Sequence, residues 1–133
     1  MNEQQQWDEL RDSVMLSRML LVNFRCMHRA YEGGGEQNID KVFPEMLIGM
    51  AVLVKTYRKM APCSARSLSR ITGLPRSTVR RRSDRMVELG VLHKTEGEGY
   101  SFQEKFITGR TDKTNLLRVR KSVLIAARVL LNQ

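Results

Sequence analysis

The turn Gly73-Leu74-Pro75 restricts the fold of this chain more than any other part of its sequence. We predict a short helix over residues 64–72, because Ser64 is a good N-cap. A second helix is predicted over residues 75–89, since proline favours the first turn of a helix and Gly90 ends the pattern. The connection between the two helices is short, so they must cross close to each other.

The residues around the turn have the spacing that such a crossing requires. Small Ser69 lies four positions before Gly73, and branched Val79 lies six positions after it. The small residue lets the helices approach, and Val79 holds the second helix onto the first, with Leu68 and Ile71 facing inward. Two helices joined by a short glycine-containing turn form a helix-turn-helix, whose second helix enters the major groove of DNA.

The remaining elements are predicted from apolar spacing and turn residues. Helices are expected over residues 6–32 and 112–131, and a buried helix begins at Pro44-Glu45 and continues to Tyr57. Short strands at residues 91–94 and 100–102 form a β-hairpin. The 133 residues make one compact domain of mainly α class, in the order helix, helix, helix, turn, helix, hairpin, helix.

Charge points to an anionic partner. The chain has 23 Lys and Arg against 14 Asp and Glu, a formal net charge of +9. The excess lies in two blocks, with +7 over residues 59–94 and +6 over residues 105–133. Basic residues grouped in separate blocks favour a defined nucleic-acid-binding face over non-specific association with anions.

A membrane or secreted protein is not expected. Strictly apolar stretches such as residues 19–22 and 50–54 are far shorter than the roughly 20 residues of a membrane span. Two cysteines cannot build a disulfide framework, and the chain opens without a signal-peptide pattern. We therefore expect a cytoplasmic protein that makes no membrane contact.

Residues 67–94, SLSRITGLPRSTVRRRSDRMVELGVLHK, resemble the DNA-binding segment of IclR-type bacterial transcription regulators. The order of elements over nearly the whole chain resembles that of MarR-type regulators. The resemblance implies a winged helix-turn-helix over about residues 64–102, with residues 6–32 and 112–131 as dimerisation helices. It also implies a homodimer that binds double-stranded DNA, and a small-molecule effector bound between the dimer helices and the winged segment.

The second helix of the motif carries the candidate DNA contacts. A helical wheel places Val79, Ser83 and Met86 toward the core, and the first residues of such a helix reach deepest into the groove. Arginine can bind guanine in a bidentate manner, and serine or threonine can bond bases or phosphates. We predict that the first residues of this helix contact bases or nearby phosphates, and that Arg85 and Lys94 contact the DNA backbone. The predicted DNA-binding residues are Arg66, Arg76, Ser77, Thr78, Arg80, Arg81, Arg85 and Lys94.

Two alternatives stay open for this helix and its neighbours. The run Arg80-Arg81-Arg82 can be a solvated helix face, with Arg82 lying along the helix edge. His93 can be an ordinary strand residue. The hairpin loop contains Glu96 and Glu98 and lacks the wing arginine usual in MarR-type proteins, so we expect that it does not bind the minor groove.

The first and last helices have apolar positions in excess of what one small core needs. One recognition helix covers only a few base pairs, so we expect a dimer built from these helices. The alternative is that both only cover the core of the monomer. The predicted dimer-interface residues are Leu10, Val14, Leu21, Leu116, Val119, Val123 and Leu130.

Signatures of enzymes and of cofactor or metal sites are missing from the sequence. The glycines at 33–35 are not followed by the lysine of a phosphate-binding loop, and the two histidines and two cysteines lack zinc-ligand spacing. Cys26 and Cys63 are expected to be reduced structural thiols, with oxidation sensing as the alternative.

The sequence therefore predicts a dimeric, sequence-specific DNA-binding transcription regulator, a repressor that inserts helix 75–89 at half-sites one helical turn apart. One alternative is an accessory protein of phage or plasmid replication or partition that uses the same motif. The other is a winged helix that binds a protein partner.

Overall fold

A computed structural model of the chain describes four stretches, residues 2–31, 38–58, 62–103 and 113–132. The described chain is mainly helical and contains one two-stranded antiparallel sheet. In chain order its elements are α1 (Glu3–Ala30), α2 (Ile39–Tyr57), α3 (Ala65–Thr72), α4 (Arg76–Glu88), β1 (Leu92–Lys94), β2 (Tyr100–Phe102) and α5 (Lys113–Leu131).

These elements divide into two compact units. The helical pair is the unit that contains α1 and α5. The central unit contains α2, α3, α4 and the sheet. In the described part of the chain, no helix has the length and apolar character needed to cross a membrane.

In the helical pair, α1 begins with a capping box. The Asn2 side chain accepts a hydrogen bond of 2.8 Å from the Gln5 amide, and the Gln5 side chain accepts one of 2.9 Å from the Asn2 amide. These bonds satisfy amides that the helix leaves free, so α1 begins before the apolar spacing starts at Trp7. Between α1 and α5, Asn23 Nδ2 donates to Ser122 Oγ at 3.3 Å.

In the central unit, α2 begins one turn earlier than the sequence predicts. Pro44 lies inside the helix, which begins at Ile39, so the prediction of a start at Pro44 is wrong. Proline removes only one backbone bond at this position. The added turn places Val42 in the core, and this burial offsets the lost bond.

The α3–α4 turn has the predicted local chemistry. Ser64 Oγ accepts from the Ser67 amide at 3.1 Å and caps α3, and Gly73 ends α3 in the left-handed conformation with φ of +79°. Ser69 Oγ donates to the Leu74 carbonyl at 2.6 Å, so the small residue closes the turn as well as allowing the crossing. Pro75 is the N-cap of α4.

The core of the central unit lies beneath this turn. Leu68, Val79, Ser83 and Met86 are buried, which confirms the inward face predicted for α4. Ile71 is 49% exposed, so its predicted inward position is wrong. α3 has only eight residues, and the buried face of so short a helix is filled by Leu68 and its neighbour one turn earlier.

The expected burial of all of α2 is also wrong. Met46, Ile48 and Val52 are buried, whereas Leu53 and Val54 on the same helix are exposed. A helix packed along one side buries only one stripe, even where the whole segment is uncharged.

The hairpin has the predicted location. β1 and β2 pair antiparallel, with Leu92 opposite Phe102 and Lys94 opposite Tyr100. Cys63, just before α3, forms an isolated antiparallel bridge to β2 through two backbone bonds with Tyr100, of 2.8 and 2.9 Å. The hairpin is thereby fixed to the start of α3.

Candidate nucleic-acid interface

A cleft of about 380 Å³ lies in the central unit, between the start of α3, the outer side of α4 and the hairpin. Its wall is mostly polar, and four of its lining residues are basic against two that are acidic. It is lined by Ser64, Ala65, Arg66, Arg76, Arg80, Asp84, Lys94, Gly97, Glu98 and Tyr100. Three separate elements thus bring predicted DNA-binding residues to one place.

α4 has two faces of opposite character. Val79, Ser83 and Met86 are buried and fix the orientation of the helix. On the opposite side, four of the predicted DNA-binding residues are exposed: Arg76, Ser77, Arg80 and Arg81. Thr78, the fifth predicted residue on this side, is half-buried. The buried side therefore decides which side chains α4 presents to a ligand.

Four arginines at this face are available for an anion. Arg66, Arg76, Arg80 and Arg81 are exposed, and none forms an ion pair with a carboxylate of the described residues. Arg66 lies in the first turn of α3, where the helix dipole adds partial positive charge. The face therefore carries an excess of positive charge over the two acids of the cleft, Asp84 and Glu98.

Lys94 differs from those arginines because it is held by Asp84. Lys94 Nζ lies 3.2 Å from Asp84 Oδ1, and Tyr100 Oη donates to the same oxygen at 2.7 Å. The bond from Tyr100 lowers the pKa of Asp84, with Lys94 contributing in the same direction. Burial, together with the bond to Asp84, raises the pKa of Tyr100. This network joins α4 to both strands of the hairpin.

Arg85 and Arg82 are turned toward α2. Glu45 has no exposed surface, and its two carboxylate oxygens accept hydrogen bonds of 2.5 and 2.6 Å from Arg85 Nη1. Arg82 Nη1 lies 3.6 Å from Oε2 of the same carboxylate. Arg82 thus lies at the helix edge beside a buried carboxylate. Sequence reasoning missed Glu45; its one signal is an acidic residue directly before an uncharged, apolar stretch of α2.

The hairpin loop presents acid. Glu96 and Glu98 are exposed, and Glu98 also lines the cleft. His93 is exposed on β1 and is part of neither the cleft lining nor a described ion pair. The acidic tip and the basic cleft are therefore adjacent but opposite in charge.

The predicted dimer residues lie in the helical pair. Leu10, Val14 and Leu21 are exposed on α1, where Leu21 is 64% exposed. On α5, Leu116 and Val123 are exposed, whereas Val119 and Leu130 are half-buried.

The more exposed stripe of α5 was missed. Leu117, Leu124 and Leu131, spaced by seven residues, are 64, 66 and 82% exposed. A seven-residue spacing repeats along one face of a helix and is a signal that the sequence offers. α5 therefore has an apolar stripe on the side opposite buried Ala126.

Both cysteines are buried and free of disulfides. Burial raises the pKa of the Cys63 thiol, which disfavours the reactive thiolate. Among the residues that the structure describes, no three His, Cys, Asp or Glu side chains are grouped as a metal site.

Comparison with known proteins adds no relative from which a function can be transferred. No protein-family model, no curated protein and no solved structure matches this chain.

Proposed function

We propose that this protein is a dimeric, sequence-specific DNA-binding repressor of transcription. In this proposal residues 64–102 form a winged helix-turn-helix, and α4 enters the major groove. The observation that carries the proposal is a set of exposed arginines on α3 and α4, which form no ion pair with the described acids, opposite a fully buried face of α4.

The chemistry of these side chains suits the groove. Arg80 and Arg81 are exposed on α4, and their guanidinium groups suit guanine edges. Ser77 and Thr78 lie in the first turn, the part of a recognition helix that reaches deepest. Arg66 comes from α3 and flanks α4 across the cleft, so it suits a phosphate contact. Phosphate contacts orient the protein, and base contacts give it sequence preference.

The helical pair suits the second requirement, which is a partner copy. One recognition helix covers few base pairs, and two related half-sites supply the rest. The exposed apolar stripes of α1 and α5 exceed what a soluble surface normally leaves uncovered, which favours a homodimer through these helices.

The experiment selects bound duplexes from a random-sequence library and then measures their affinity at several salt concentrations. We expect an enriched sequence, and Arg81→Ala should weaken its binding by about 1–3 kcal/mol while changing random-sequence binding far less. Arg25→Ala removes the same charge from an exposed position on α1 and serves as the matched control. Equal, steeply salt-dependent binding to all duplexes would contradict sequence-specific recognition.

A protein-binding winged helix is the second candidate, and the acidic loop favours it. Glu96 and Glu98 repel phosphate and suit a basic protein surface. Complete absence of binding to every duplex, at low salt and with a folded protein, would put this candidate first.

A further inference from the structure

We infer that Glu45 is a positioning residue, which holds Arg85 and Arg82 so that α4 stands at the angle needed for DNA. Arg85 then contributes no phosphate contact of its own. This inference rests on the proposed DNA-binding function and divides the arginines of α4 into two groups.

The carboxylate that holds Arg85 lies inside the fold. Glu45 has no exposed surface, and an ionised carboxylate in such a place is costly unless it is paired. Both carboxylate oxygens accept from one guanidinium nitrogen of Arg85, at 2.5 and 2.6 Å. Arg85 is therefore held at Glu45 by two charge-assisted hydrogen bonds.

The ion pair joins two helices of the central unit. Glu45 belongs to α2, and Arg82 and Arg85 lie one turn apart on α4. The two arginines approach the same carboxylate from successive turns, so they fix the rotation of α4 as well as its distance from α2. On the same helix, Arg80 and Arg81 have no such partner among the described residues and stay available for a ligand.

Net charge alone and a positioning role predict opposite effects on DNA affinity when the acid at position 45 is removed. Simple electrostatics says that removing an acid from a basic protein raises its affinity for DNA. A positioning role predicts the reverse for specific binding. Glu45→Gln should weaken binding to the duplex selected by the wild-type protein by roughly tenfold, the size of one lost base contact, while random-sequence duplexes bind no more weakly.

The control for this variant is Glu88→Gln. Glu88 is an exposed acid on the same helix, and its replacement makes the same change in charge without touching the buried pair. Specific binding should stay within about twofold of the wild-type value in Glu88→Gln. An equal loss in both variants, or no loss in Glu45→Gln, would overturn the inference.

The salt dependence of binding tests the role of Arg85 directly. The double variant Glu45→Gln/Arg85→Gln removes both members of the pair and so avoids leaving a buried charge alone. Its slope of log affinity against log salt on random-sequence duplexes should equal that of the wild type. Arg66→Gln, at the exposed arginine proposed above as a phosphate contact, should reduce the slope by about one. A similar reduction in the double variant would show that Arg85 binds phosphate.

Amide hydrogen exchange of the free protein separates this inference from the proposed function. Exchange in α4 should be several-fold faster in Glu45→Gln than in Glu88→Gln, because the helix has lost its attachment to α2. If the wild-type protein binds no DNA, the proposed function fails. Unchanged exchange in Glu45→Gln overturns the positioning role whatever the DNA result.

Discussion

The central unit and the helical pair differ in how much of their apolar surface they bury. In the central unit Ile48, Leu68 and Leu92 are among many side chains fully removed from solvent. In the described part of the helical pair only Cys26 and Ala126 are buried among the apolar residues. The central unit thus has a core of its own, whereas the helical pair presents apolar stripes that two helices cannot cover.

From this contrast we expect the helical pair, and not the central unit, to be stabilised by a covering surface. Burying an apolar side chain contributes about 1.5–3 kcal/mol, so a unit with a filled core holds its fold alone. A unit whose leucines face solvent gains most of its stabilisation when another surface covers them. The stability of the central unit should therefore not depend on protein concentration, and that of the helical pair should.

Replacing one leucine in each unit by alanine should change the free energy of unfolding very differently. Leu68→Ala empties a fully buried site and should lower the free energy of unfolding by about 2–5 kcal/mol at every protein concentration. Leu124→Ala, at a site 66% exposed in the chain alone, should change stability by less than about 0.5 kcal/mol in dilute protein. Its cost should grow with concentration if the proposed dimer covers this site.

Urea unfolding at several concentrations measures both variants, with Trp7 as an internal reporter. Trp7 is the single tryptophan of the chain and lies exposed on α1, so its fluorescence should shift to the red on dilution as the covering surface leaves. If neither the stability of Leu124→Ala nor the Trp7 emission changed with protein concentration, the expected difference between the two units would be contradicted.

Much of the central unit could be predicted from sequence because its signals are local. The cap at Ser64, the left-handed residue at Gly73 and the three-residue face of α4 each depend on positions only a few residues apart. The hairpin, too, is encoded by short alternating segments around a glycine-containing loop. These features required no knowledge of distant contacts.

The parts that the sequence does not predict depend on tertiary packing. The Glu45–Arg85 pair joins residues 40 positions apart, and no local rule connects them. On α5 both Leu116 and Leu117 begin plausible apolar stripes, and only packing decides that the stripe through Leu117 faces solvent more fully. Periodicity gives the number of stripes, and the neighbouring helix decides which one is buried.

A second prediction concerns how the hairpin of the central unit is held. A Cβ added to Gly99 would lie 2.8 Å from Pro62 Cβ and 3.3 Å from the Pro62 carbonyl, so Gly99→Ala must displace backbone. We expect a loss of about 1–3 kcal/mol in the free energy of unfolding.

Gly97→Ala is the matched control, because a Cβ at Gly97 meets nothing within 4 Å in the same loop. It should change stability by no more than about 0.5 kcal/mol. Neither variant should alter the concentration at which Trp7 emission shifts, because both change only the central unit. Equal effects of the two alanines would show that the hairpin does not depend on its contact with Pro62.

The smallest expected effect is a pH dependence confined to the central unit. The bond from Tyr100 lowers the pKa of Asp84 in the folded protein below its ordinary value of 3.8, so the folded state favours the ionised carboxylate. Its contribution to stability is complete above the unfolded pKa and is lost as pH falls through the folded pKa. Because the Asp84 side chain is half-exposed, solvent screening limits this contribution to roughly 0.3–1 kcal/mol.

The difference in unfolding free energy between the wild type and Asp84→Asn should be constant from neutral pH to about pH 5 and then shrink on further acidification. A difference that stays constant through the acid range would mean that the network of Asp84, Tyr100 and Lys94 does not stabilise the join between α4 and the hairpin.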